Sequence, residues 1–124
     1  MTGGLLDRAR LTELVEQVGP EAAAGTVDHV LAMMANRVSR LRLAVATGED
    51  RRDVALSLAC SATMVGAYAL AEAATRCRTA DGAAAEMALA EVEALAGPTC
   101  HALRGARAAL VVAPDGGLAA PGPA

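Results

Sequence analysis

Aromatic side chains are nearly missing from this chain of 124 residues: it has no Trp and no Phe, and Tyr68 is its single aromatic. Apolar residues still make up 54% of it, so a core has to be assembled from Ala, Leu, Val and Met. Those side chains suit closely packed helices better than a sheet, which favours β-branched and aromatic residues. Cysteine is scarce as well. Cys60, Cys77 and Cys100 form an odd set without paired spacing, which argues against a disulfide framework and for a reducing, cytoplasmic setting. An excess of positive charge is also lacking. With a formal net charge of −3 and dispersed arginines, the chain has no general attraction to phosphate backbones, so nucleic acid is not an expected partner. The small group Arg37, Arg40 and Arg42 is interleaved with core positions and reads as a solvated helix face. No basic region followed by an apolar run opens the chain, so no signal peptide is expected.

One long run without charge is present, between Asp53 and Glu72. It has roughly the length of a membrane span. Its Ala, Ser, Thr and Gly contribute little to insertion, and it has neither an aromatic belt nor a one-sided basic flank, so no membrane crossing is expected. A helix apolar on all sides must either be enclosed or hold one face back for a partner.

The remaining pattern is helical throughout. A first segment from about Leu5 to Val18 places Leu11, Leu14, Val15 and Val18 on one side, and Gly19-Pro20 ends it. A second, from Pro20 to about Ala46, carries Ala23, Val27, Val30, Met34, Val38, Leu41 and Val45 in steps of three and four. Gly48 and the turn residues around it stop that helix. A third helix is expected from near Asp50 to near Arg78, with Leu58, Ala62, Val65 and Ala69 as its core stripe. After the Asp81-Gly82 turn, a last segment from about Ala83 to Leu110 keeps its spacing through Leu89, Val92, Ala96, Thr99, Leu103, Ala106 and Leu110. It reads as one helix kinked near Gly97-Pro98. No alternating strand pattern persists. The expected fold is all-α, an antiparallel up-and-down four-helix bundle over residues 1–112, followed by a disordered Gly/Pro/Ala tail over 113–124.

The third segment reads Leu56-Ser57-Leu58-Ala59-Cys60-Ser61-Ala62, then Gly66-Ala67 and Leu70-Ala71. This resembles the central helix of the histidine-phosphotransfer (HPt) domains of bacterial phosphorelays, whose motif is of the form His-Xaa-Leu-Lys-Gly-Ser-Ala followed by Gly-Ala and Leu-Ala pairs. Leu14-Val15-Glu16-Gln17-Val18-Gly19 is similar to the family's first helix and turn, and the second helix ending in Ala46-Thr47-Gly48 to its neighbour. The likeness spans roughly Leu5 to Arg78. It departs from the family at the chemistry: Leu56 stands at the place of the histidine, Ala59 replaces the lysine and Cys60 the glycine. The link from Gly48 to Leu56 is also about two residues short of the family spacing, and no histidine occurs anywhere in the third segment.

Phosphorelay needs an imidazole nitrogen as nucleophile, and leucine has no lone pair to supply. Loss of the neighbouring cation also removes stabilisation of the transferring group. The resemblance therefore implies a degenerate domain, not an enzyme, that binds a receiver domain or a histidine kinase without carrying phosphate. Its docking face would be Leu56, Ala59, Cys60, Thr63 and Ala67, on one side of the third helix. The alternative is that the first or last helix covers these residues.

His101, in His101-Ala102-Leu103-Arg104-Gly105, also looks like the family motif and is the weak alternative phosphoacceptor. Too little helix follows it, and no further helix comes after to complete a bundle. His29 is expected toward solvent, with no Cys/His or carboxylate cluster to make a metal site, so neither metal nor cofactor is expected. Glu91 and Glu93, two apart, cannot converge on one helix, and Glu13 and Glu16 read as solubilising. Cys60 has no basic residue one turn away and reads as inert; Met33, Met34, Met64 and Met87 read as core or near-core filler. A further reading, outside signalling, is a structural bundle that forms a homodimer through its apolar third helix.

Overall fold

The computed structural model describes residues 4–112, with side chains as far as Leu110, and it is all-helical. The expected tail over 113–124 lies outside the described residues. Five helices follow one another: α1 (Arg8–Val18), α2 (Pro20–Thr47), α3 (Arg52–Met64), α4 (Tyr68–Thr79) and α5 (Gly82–Val112). The all-α expectation holds, and among the described residues there are five helices where four were expected.

The punctuation seen in the sequence sets most boundaries. Asp7 caps α1 by accepting a hydrogen bond from the Ala9 N–H, three residues later than the expected start. Pro20 opens α2, and Gly48, in the left-handed region at φ 76°, closes it. Gly82 opens α5, which runs without a break through Pro98.

The third segment is the correction. It is not one helix from Asp50 to Arg78 but two, folded back on each other at Val65-Gly66-Ala67. Gly66 has φ 81°, a conformation that costs an L-residue with a Cβ. Its N–H donates to the Thr63 carbonyl, and the Ala67 N–H donates to the Ala62 carbonyl at 2.8 Å. This pair of bonds closes α3 as a Schellman motif. At the far end of the hairpin, Arg51 Nε donates to the Cys77 carbonyl at 2.6 Å, tying the start of α3 to the end of α4. A guanidinium there satisfies a carbonyl that the last helical turn leaves unpaired. The two helices are therefore antiparallel neighbours, and much of the charge-free run is enclosed because it packs on itself. Ala55, Ala62, Ala73 and Ala74, all fully buried, let the helices approach closely.

The hairpin lies against the long helices, α3 beside α2 and α4 beside α5, while α2 and α5 pack on each other. All eleven basic residues are arginines, and several of them fasten these pairs. Arg42 bonds Glu93, and Arg107 grips both carboxylate oxygens of Asp28 at 2.9 and 3.0 Å, so α2 and α5 run in opposite directions. Arg76 bonds Glu91 between α4 and α5. Arg42 is thus a bridging residue, not simply solvated. Arg37 lies half-buried, its guanidinium 3.8 Å from the Met33 sulfur.

α1 packs on α2, to which Gly19 joins it, in one half of the molecule, whereas α2, α3, α4 and α5 meet beside the hairpin in the other. The core runs through both halves, with Leu11, Val27 and Val30 in one and Leu41, Leu58, Leu70 and Val92 in the other. Several periodic positions sit elsewhere than expected. Val18 is exposed at the end of α1, Ala69 is half-buried, and Val65 is buried but belongs to the corner rather than to a helix. Met64 and Met87 are not core filler: Met87 is 73% exposed and Met64 44%.

Candidate functional site: the outer face of α3

α3 turns Ala55, Leu58 and Ala62 inward and an opposite stripe outward. With 100° per residue, Asp53, Leu56, Cys60, Thr63 and Met64 fall within about a third of the helix circumference. All five are exposed, Leu56 at 44%. Leu56 and Met64, about two turns apart on the same stripe, are both left uncovered.

The expected docking residues separate into three groups. Leu56, Cys60 and Thr63 are brought together on the outer surface. Ala59, only 8% exposed, forms the floor beneath Cys60, Thr63 and Met64 in an open depression bordered by Arg10. Ala67 does not belong to the face at all: it is fully buried in the corner, because the backbone turns at Gly66 one residue before it. Neither the first nor the last helix covers Leu56.

Met64 and Arg10 were missed by sequence reasoning. Met64 comes into view only because α3 stops there. Arg10 lies in α1, fifty-four positions away, and its Nε donates to the Met64 carbonyl at 3.2 Å while its other arm meets Glu13. The same docking brings Asp7 across the corner, where its N–H donates to the Gly66 carbonyl at 2.8 Å. No periodicity within α3 could reveal a wall supplied by another helix. Tyr68, 40% exposed, continues the apolar surface at the start of α4, next to Thr63, Ala71 and Glu72.

The titratable groups give the face no nucleophile of the relay kind. α3 contains no histidine. His101 and His29 are both exposed, His101 on α5 with Arg104 one turn on and His29 on α2, and neither lies on α3. Among the described residues no His/Cys/Asp/Glu group is arranged to hold a metal ion. All three cysteines are free. Burial pushes the thiols of Cys77 and Cys100 up, against smaller opposing pulls from Arg51 and Arg104. Glu91 and Glu93 point to different neighbours, Arg76 and Arg42. Glu13 and Glu16 are exposed. At the entry to α3, Asp50 accepts hydrogen bonds from the Arg52 side chain and then from its backbone N–H, and these hold its carboxyl down at about 2. Among the described residues no helix is long and apolar enough to cross a membrane.

No protein-family model matches the chain, and no curated protein or solved structure is significantly similar to it. The case for a function therefore rests on the chain's own residues.

Proposed function

We propose that the protein is a binding module of the HPt-like kind that docks a receiver domain or a histidine kinase through the outer face of α3 and carries no phosphate. The observation behind this reading is the exposure of Leu56 together with Cys60, Thr63 and Met64 on a helix without a histidine. An apolar, uncharged strip set beside Arg10 suits a protein surface, and no side chain on it can take a phosphoryl group as imidazole does. In this reading α2 to α5 play the part of an up-and-down scaffold, and the corner at Gly66 limits the face to α3 and the first turn of α4. The role is that of competitor or adaptor within a two-component pathway, in the cytoplasm.

Mixing the purified protein with phosphorylated receiver domains tests the reading. Binding is expected, weakened at least tenfold by Leu56→Glu, and no phosphate is expected to move. Acid-labile label that disappears on His101→Ala would overturn it in favour of transfer through His101. Binding indifferent to Leu56→Glu would overturn the choice of face.

A further inference from the structure

The corner between α3 and α4 is made without most of the residues that ordinarily turn a chain. Thr63-Met64-Val65-Gly66-Ala67-Tyr68-Ala69 holds no Pro, Asn, Asp or Ser. Glycine alone does not stop a helix in this protein, since Gly25, Gly97 and Gly105 all sit inside one. Burial does not demand a turn either. Leu58, Ala62, Val65, Ala69 and Ala73 keep a three-four spacing straight through the corner, and all but Ala69 are buried. As one helix, the stretch from Arg52 to Thr79 would match α2 in length.

The bend is held from outside, by the start of α1. In a continuous helix the Met64 carbonyl accepts from the Tyr68 N–H, and the Gly66 carbonyl from the Leu70 N–H. Here Arg10 Nε donates to the Met64 carbonyl at 3.2 Å, and the Asp7 N–H to the Gly66 carbonyl at 2.8 Å. Each bond of this clasp occupies a carbonyl that propagation of the helix would use. Gly66 itself fits the clasp only because it is bare: a Cβ on it would lie 2.7 Å from the Asp7 carbonyl oxygen.

Straightening the corner carries α4 and α5 away from α3 and α2 of their own chain. It uncovers Leu41 and Leu58 on one part and Leu70 and Val92 on the other, all members of a single core cluster. The surface that fits each part is the other part, so the matching partner is a second copy of this chain. Exchange between two copies restores α3 against α4 and α2 against α5 with the same side chains. Only the corner and its clasp are given up.

We propose that Gly66 is the hinge of a two-state chain: a closed monomer clasped by α1, and an open form in which α3 and α4 run on as one helix and two chains exchange their α4–α5 halves. Opening also remakes the outer face of α3. Arg10 withdraws, and helical phase brings Ala67 into line with Cys60 and Thr63.

Sedimentation of the full chain at concentrations up to about 1 mM tests the proposal. The wild type should be mostly monomer. Gly66→Ala, which favours the straight helix and obstructs the clasp, should raise the dimer-to-monomer ratio at least tenfold at equal concentration. Arg10→Ala should raise it severalfold, and Gly25→Ala should leave it unchanged. In a mixture of isotope-labelled and unlabelled Gly66→Ala chains, the dimer should show nuclear Overhauser contacts between α2 of one chain and α5 of the other. A Gly66→Ala chain that stays monomeric, folded or not, overturns the proposal. So does a dimer whose α2–α5 contacts all lie within one chain, or an Arg10→Ala chain that associates no more than the wild type. No receiver domain enters these measurements, so the docking reading stands or falls separately.

Discussion

Thr99 is a buried side chain at odds with its surroundings. It is fully enclosed in α5, and among the described residues its hydroxyl has no hydrogen-bond partner. An unmatched buried hydroxyl costs more than the bond it could have made, whereas valine has nearly the same shape. Thr99→Val should therefore raise stability by about 1 kcal/mol, read as a higher urea midpoint with an unchanged slope. Asp50 makes a different prediction. Its folded-state carboxyl sits at about 2, below the ordinary 3.8, so the native state is favoured by its ionised form. That contribution is complete above the unfolded value and fades as pH falls through the window down to about 2. Carbon-detected NMR titration should show Asp50 still ionised at pH 3. Asp28, held low by its bonds to Arg107, shifts in the same direction.

Among the glycines, only local backbone and neighbours distinguish an element's end from its middle. Gly25, Gly97 and Gly105 sit inside helices, with open space where a Cβ would project. Gly66 has φ +81°, and a Cβ there would lie 2.7 Å from the Asp7 carbonyl oxygen, which is backbone and cannot swing aside. Gly66→Ala should cost about 2–3 kcal/mol in chemical denaturation, the left-handed strain plus displacement of the Asp7 segment. Gly25→Ala should instead stabilise α2 by about 0.5–1 kcal/mol. The same contrast explains what the sequence could and could not reveal. α2 was legible because Ala23, Val27, Val30, Met34 and Leu41 keep their stripe for the whole helix and all are buried. The breaks at Gly19-Pro20, Gly48 and Asp81-Gly82 were legible because each follows the end of a stripe. The corner was not, since the residues around Gly66 are apolar and small on every side, and a helix continuing past it satisfies the same three-four spacing. What decides for the turn is the docking of Asp7 and Arg10 onto it, a tertiary contact with no local signature. The candidate face followed the same rule. Leu56, Cys60 and Thr63 could be grouped by helical phase, while Ala67 fell out of the group and Met64 and Arg10 entered it once the chain turned.

At the scale of the molecule, stability and the exposed face are carried by different side chains. The core passes through Leu41, Leu58, Leu70, Val92 and Leu103, all fully buried, whereas Leu56 contributes to none of it. Leu56→Glu should shift the unfolding free energy by no more than about 0.5 kcal/mol, measured by denaturant titration of the monomer, even as it removes binding at the face. A larger loss would mean that Leu56 is part of the core after all. α1 spans both concerns. It packs on α2 through the buried Leu11 and Leu14, and its first turn furnishes Arg10. Recognition at α3 is accordingly hostage to the anchorage of a short amino-terminal helix, held to the corner by the Asp7 amide and a single guanidinium. Prising that helix loose would strip one wall from the depression while leaving α3 itself intact, and a fragment starting after Val18 would keep its leucine but lose the cation that borders the face.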